Sequence, residues 1–306
     1  MRFDLTILGS NSATPMHGRH PSAQVVCVHG HSYLIDCGEG TQMRMIKFRI
    51  KRNKLNHIFI SHLHGDHCYG IFGLLGSFAL GGRTEPLHVY APAGLQEMFE
   101  VVHRHSGGGQ PVPFPLHFHT VEWRAESFLI HEDAHVTVHS IPLTHGLPCT
   151  GFLFKEKEQP LRFQDGVVEN LQLDYKQLAA VRKGADYVRE DGSLIANADL
   201  TLPPHPPRSY AYCSDTTYNE KIIPYIYGVD LLYHEATYLH IDVARAVQYN
   251  HSTAQQAGTI ATKAAAKRLV VGHFSSRYEE IQPILEDAQI TYPNAELAVE
   301  GTVFEV

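Results

Sequence analysis

The six residues His62-Leu63-His64-Gly65-Asp66-His67 crowd three imidazoles and a carboxylate into one turn. Imidazole nitrogen and carboxylate oxygen both suit zinc. A short turn projects alternate side chains toward one cavity, and Gly65 permits backbone geometry closed to other residues. Three further donors, His145, Asp215 and His273, stand singly downstream. Each alone reads as a core or loop residue. Together with the turn they complete a set of seven, more than one tetrahedral ion can use. His62, His64 and His145 would hold one zinc and Asp66, His67 and His273 another, with Asp215 bridging the pair. Zinc lowers the pKa of bound water to about 7, so two zinc ions per chain imply a hydrolytic centre.

Short apolar runs bounded by turn residues predict the strands that position these groups, over 5–8, 32–36, 55–61, 87–90, 136–143, 151–154, 210–215, 229–234 and 269–272. Helical patterns over 70–80, 94–103, 253–267 and 278–288 lie between several of them. Such alternation predicts an α/β fold with sheets covered by helices. His62, Asp215, Glu235 and His273 fall at or just past strand ends, where α/β architectures place their sites. Two stretches break the pattern. From 155 to 208 the chain turns polar, alternates acids with bases and ends in Leu202-Pro203-Pro204-His205-Pro206-Pro207, which is extended and stiff. It reads as an excursion from a single domain spanning 1–306. Gly107-Gly108-Gly109 predicts a mobile loop.

The 306 residues are 43% apolar and 19% charged, which speaks for a buried core and against disorder. No run approaches the roughly 20 apolar residues of a membrane helix. The first residues enter a strand pattern containing Asp4 and do not resemble a secretory leader, so no membrane association and a cytoplasmic location are expected. Cys27, Cys37, Cys68, Cys149 and Cys213 are odd in number and widely spaced, and read as reduced core thiols. The net charge of −7 argues against a surface that binds nucleic acid everywhere. Arg44, Lys47, Arg49, Lys51, Arg52 and Lys54 nevertheless form a basic run without an acid, readable as a solvated helix end or as a phosphate contact.

The turn His62-x-His64-x-Asp66-His67, with later His145, Asp215 and His273, resembles the metallo-β-lactamase superfamily. That resemblance implies a four-layer αββα sandwich with metals at one edge, and the superfamily hosts thioesterases, lactamases, sulfatases and nucleases. His234-Glu235-Ala236-Thr237 and His251-Ser252-Thr253 narrow it. They resemble the paired motifs that set ribonuclease Z, the tRNA 3′-processing endonuclease, apart. Leu8-Gly9, Asp36-Cys37-Gly38-Glu39 and Gly272-His273-Phe274-Ser275-Ser276-Arg277-Tyr278 extend the likeness over nearly the whole chain.

The resemblance implies a zinc-dependent endoribonuclease that removes the 3′ trailer of precursor tRNA and works as a homodimer. Departure of a 3′-hydroxyl requires a proton, and histidine is poised to give one near neutrality. His251 is the candidate, oriented by Glu235; the bland account of His251 is a residue before the helix cap Ser252. Asp66 is similar to the family's proton acceptor, which also binds metal. Asp36 and Glu39 are expected to support loops near the site. Arg19 matches a basic residue that touches phosphate in the family, with His20 standing where asparagine is common. The excursion 155–208 corresponds in position to a flexible arm that grips the tRNA elbow. Its customary Gly-Pro pair is absent around Asn170-Leu171-Gln172-Leu173-Asp174-Tyr175, whereas Arg182-Lys183-Gly184 resembles the basic turn that follows, making Arg182 and Lys183 candidate RNA contacts. Two rival readings stand beside this one: another hydrolase of the superfamily, a small-molecule phosphodiesterase or arylsulfatase, and a non-catalytic RNA-binding or dimerisation module.

Overall fold

Alternation along the first strand shows how the sheets face one another. In Phe3–Gly9, Phe3, Leu5 and Ile7 point to one side and Leu8 to the other, and all are fully buried. The computed structural model, which describes residues 2–106 and 110–306, places the first three between two seven-stranded sheets and Leu8 beneath outer helices. The glycine run 107–109 lies outside the described residues.

The first sheet runs in the order Val303–Glu305, Phe3–Gly9, Ala23–Val28, His31–Ile35, Leu55–Phe59, Leu87–Ala91, Leu116–Thr120. The second runs Ala295–Leu297, Leu269–Gly272, Leu231–Glu235, Ser209–Cys213, Thr150–Glu156, Val136–Pro142, Leu129–Glu132. Aromatic side chains fill the space between them, including Tyr33 and Phe59 from the first sheet and Phe152, Phe154, Tyr210 and Tyr212 from the second. Helices Gly70–Leu80 and Gly94–Ser106 bury Leu74, Phe78 and Leu95 on the outer face of the first sheet. Helices Ala254–Lys263 and Gln282–Gln289 bury Ala257, Ile260 and Ile284 against the second. The result is a four-layer αββα sandwich.

All nine expected strands are present within a few residues. Ala23–Val28, Leu116–Thr120, Leu129–Glu132, Ala295–Leu297 and Val303–Glu305 were not anticipated; the last three are short, and Leu116–Thr120 carries two histidines that dilute its apolar pattern. The helix expected over 253–267 stops at Lys263, where Ala265 turns left-handed with φ 48°. The one expected over 278–288 begins later, with Pro283 in its first turn.

His31–Ile35, Leu55–Phe59 and Leu87–Ala91 are parallel neighbours in one sheet, as are Ser209–Cys213, Leu231–Glu235 and Leu269–Gly272 in the other. Such runs present their carboxyl ends together. Glu156–Pro207 forms a second compact unit, with two-stranded pairs and the helix Tyr175–Val181, whose amino end carries a capping box between Asp174 and Gln177. All five cysteines are free thiols. Among the described residues no helix is long and apolar enough to cross a membrane.

Candidate metal centre

The seven donors predicted from sequence converge. In one group, Nε2 of His62 lies 2.9 Å from Nδ1 of His64, which lies 3.2 Å from Nε2 of His145. Asp215 Oδ2 closes this group at 3.4 Å from His62 and 3.5 Å from His145. In the other, Nε2 of His67 and His273 are 3.3 Å apart, and Asp66 Oδ2 lies 3.5 and 3.6 Å from them. Asp215 Oδ1 completes that set at 3.4 Å from His67 and 3.0 Å from His273. Donors about 2.0–2.1 Å from a tetrahedral zinc stand roughly 3.3 Å apart, so these spacings are ligand-to-ligand edges in size. One oxygen of Asp215 faces each group.

The far nitrogens are engaged elsewhere. His145 Nδ1 donates to the carbonyl of Asn250 at 3.0 Å and His67 Nδ1 to Asp36 Oδ2 at 2.7 Å. His273 Nδ1 donates to Thr237 Oγ1 at 2.9 Å, since that hydroxyl is itself given to Glu235. His62 Nδ1 meets Ser61 Oγ at 3.0 Å, and that hydroxyl is given to Asp36. In each neutral ring the proton sits on Nδ1, leaving a bare Nε2 lone pair aimed at other lone pairs and carboxylates. A bound cation satisfies that arrangement.

The electrostatics say the same. Burial, then His67, pushes His62 down to about 4, and burial with His145 nearby lowers His64, so both stay neutral and available as donors. Burial opposes charge on His273, but Asp215 and then Asp66 overcome it and raise the ring to about 10; His67 is raised by Asp215, Asp66 and Asp36 against the same burial. The buried carboxylates thus demand positive charge, which dications supply with the rings neutral. The cluster and the fold mark this as a metal-binding centre.

Three residues of the site carry backbone strain. Asp36, Asp215 and His273 occupy left-handed conformations with φ 55°, 62° and 59°, each costing roughly 1–3 kcal/mol that the surrounding structure must offset. Gly65, by contrast, opens the short helix Gly65–Cys68 without a left-handed φ; its lack of a side chain admits the ring of Tyr69, 2.4 Å from where a Cβ would stand.

Beside the donors, His251 Nδ1 lies 3.0 Å from Oε1 of the fully buried Glu235. Burial opposes charge on His251, yet Glu235 outweighs it and raises the ring above its ordinary value. Glu235 also accepts from the backbone of Thr216 at 2.7 Å and Ser252 at 3.1 Å. A pocket of about 770 Å³ opens over the cluster, with Tyr69, Tyr238, Tyr249 and His251 in its walls.

With this geometry in place, comparison with known proteins is decisive. A ribonuclease Z of Bacteroides fragilis is 44% identical over 300 residues, covering 98% of each chain. The chain belongs to the ribonuclease Z family. The ribonuclease Z of Bacteroides thetaiotaomicron is also 44% identical, over 98% of this chain and 94% of its own. Residues 3–159, about half of the chain, fall in addition within the family described as Anti-Pycsar protein Apyc1. Among solved structures, human tRNase Z, short form, matches with TM-score 0.71 and 27% identity over 98% of both chains. A metallo-β-lactamase-fold protein of Bacillus subtilis matches with TM-score 0.71 at 17% identity, a likeness of fold alone.

Other candidates fall differently. Arg19 is absent from the pocket walls: its guanidinium bonds Asn11 Oδ1 at 2.9 Å, the carbonyl of Glu279 at 2.8 Å and that of Tyr278, tying two loops together. Arg182 and Lys183 follow the helix Tyr175–Val181 in the second compact unit, with Lys183 exposed. Asp36 does more than support a loop, for it holds His67, Ser61 and the hydroxyl of Tyr212 at once. Thr237, the last residue of the His234-Glu235-Ala236-Thr237 motif, orients His273; the backbone N–H of Ala13 fixes Asp66 Oδ2 at 2.7 Å. The motif pointed to Thr237, whereas nothing local pointed to Ala13.

Proposed function

We propose that this protein is an endoribonuclease that removes the 3′ trailer of precursor tRNA, leaving a 3′-hydroxyl on the tRNA and a 5′-phosphate on the trailer. The Glu235–His251 pair beside the seven donors carries this reading. Water attacks phosphorus, the bond to the tRNA O3′ breaks, and that oxygen takes its proton from His251. Glu235, bonded to Nδ1, holds the ring so that Nε2 is the nitrogen free to give the proton. Asp66, fixed by the backbone N–H of Ala13, accepts the proton of the attacking water. His62, His64 and His145 would hold one zinc, and Asp66, His67 and His273 the second, with Asp215 between them. Bound there, two zinc ions would activate water and offset the charge on the phosphoryl oxygens. Elemental analysis of protein purified without chelator is expected to find about two zinc ions per chain.

The second unit, Glu156–Pro207, supplies the tRNA exosite, with Arg182 and Lys183 as phosphate contacts in the cytoplasm where precursor tRNA is found. Replacing 164–197 with a short Gly-Ser linker should raise KM for precursor tRNA while leaving hydrolysis of a small phosphodiester nearly unchanged. The protein works as a symmetric dimer, a reading supported by exposed apolar side chains on and beside the outer helices of the first sheet: Met43, Ile46, Tyr69, Leu80, Val101 and Val102. Sedimentation as a monomer at micromolar concentration would count against this.

Incubation with end-labelled precursor tRNA tests the central reading. A single cut at the trailer junction leaving a 3′-hydroxyl supports it. Intact precursor alongside hydrolysed bis(p-nitrophenyl) phosphate would instead favour a small-molecule phosphodiesterase.

A further inference from the structure

The strand Leu55–Phe59, which leads into the catalytic turn, carries another histidine at its midpoint. His57 projects between the sheets and stacks on Tyr33 at 5.4 Å and on His88 at 5.4 Å between ring centroids. From the edge of the other sheet, His131 comes within 4.4 Å of the same ring. His131 Nε2 is 3.1 Å from Asp133 Oδ2, a spacing within the range of the edges at the catalytic cluster. One ligand atom each of His57, His131 and Asp133 lies within 4.8 Å of the others.

Three observations suit this group to a cation. The donors are rigid: Asp133 Oδ1 accepts the backbone N–H groups of His135 at 2.7 Å and Val136 at 3.0 Å, and Tyr90 holds His131 Nδ1 at 2.9 Å. His57 is neutral near pH 7, because burial and the neighbouring His131 push it down to about 3. The set is also incomplete, as no side-chain hydrogen bond of His57 is found among the described residues while Asp133 remains 23% exposed. Two imidazoles with one carboxylate and an open side are the donor set of zinc and its neighbours in the transition series, not of calcium or magnesium.

We propose that His57, His131 and Asp133 form a further metal site, separate from the catalytic centre, that takes a zinc-like dication. Its donors come from both halves of the sandwich, His57 from the first sheet and His131 with Asp133 from the edge of the second. An ion bound there ties the two sheets together and stabilises the folded state by mass action.

The test compares the full-length protein with His57→Phe, which keeps the stacked ring and removes its nitrogens, and with Asp133→Asn. After equilibration with excess zinc and gel filtration, the parent is expected to retain one more zinc per chain than either variant. Zinc in excess of the catalytic complement should raise Tm in the parent but not in His57→Phe, with precursor cleavage equal in both. Equal zinc content in parent and His57→Phe, or an identical zinc-dependent rise in Tm, would overturn the site. Because the readout is a difference between parent and variant, it holds whatever occupies the catalytic cluster.

Discussion

One strand serves two histidine clusters, and they differ in what surrounds the rings. At the catalytic cluster, following the carboxyl end of Leu55–Phe59, five imidazoles meet Asp66 and Asp215, and the far nitrogens of His62, His67, His145 and His273 are each held by a fixed oxygen. Around His57 the rings meet a single carboxylate and tyrosine hydroxyls, and His88 and His119 face each other nitrogen to nitrogen at 2.9 Å. The number of imidazoles is similar. The density of carboxylates and the pinning of the second nitrogen separate a site built for chemistry from one suited to holding an ion.

The sharpest way to break that contrast is to remove a carboxylate from the catalytic side. In the proposed mechanism, Asp66→Ala deletes a metal donor and the acceptor of the water's proton together. Cleavage of precursor tRNA should fall by roughly 10⁴-fold or more, as when one member of a catalytic unit is lost. Retained activity would defeat both roles. Next in size, His251→Ala and Glu235→Ala should each lower kcat by about 10²–10⁴-fold with metal content unchanged, the scale of general acid catalysis. The double variant should lose little more than either single one. On a substrate with a very acidic leaving group both losses should vanish, because no proton is then needed; persistence there would assign the pair to structure.

Pinning can be tested apart from the donors. Asp36→Asn preserves shape but removes the charge that holds His67, and Thr237→Val removes the partner of His273. Each should weaken metal affinity by about 10–100-fold, read by titration with a chelator. Unchanged affinity would mean that strand geometry alone positions the rings.

These orienting residues mark how far the sequence could be read. The donors were legible because four of them crowd into one turn and the others stand at strand ends, a local signal. Strand and helix periods gave sheets covered by helices, and the four layers followed from the resemblance to the metallo-β-lactamase superfamily. The far-nitrogen partners were not legible: Asp36 lies 31 residues from His67, and its other partner, Tyr212, is 176 residues away in the opposite sheet. The His57 group was hidden for the same reason, since His131 reads as an ordinary strand residue until the sheets are stacked. At Arg19 the sequence could not show the loop carbonyls of Tyr278 and Glu279 that its guanidinium meets, some 260 residues away.

The smallest expected effect lies at Asp133 and concerns pH. Burial would raise its carboxyl, but hydrogen bonds from His131, Tyr33 and the backbone of His135 and Val136 outweigh burial and hold it well below the usual carboxylate range. A carboxyl whose pKa is lowered by folding contributes stability above its unfolded value, about 3.9, and loses it as pH falls through the lower folded value. With chelator present to exclude metal, the gap in urea midpoint between the parent and Asp133→Asn should be widest near pH 6–7 and narrow steadily below about pH 4. The gap should be modest, since Asp133 is partly exposed and solvent screens it. A gap that does not change with pH would mean that the carboxylate acts there through shape and hydrogen bonding alone. The His57 cluster would then lack the charge on which its contrast with the catalytic centre depends.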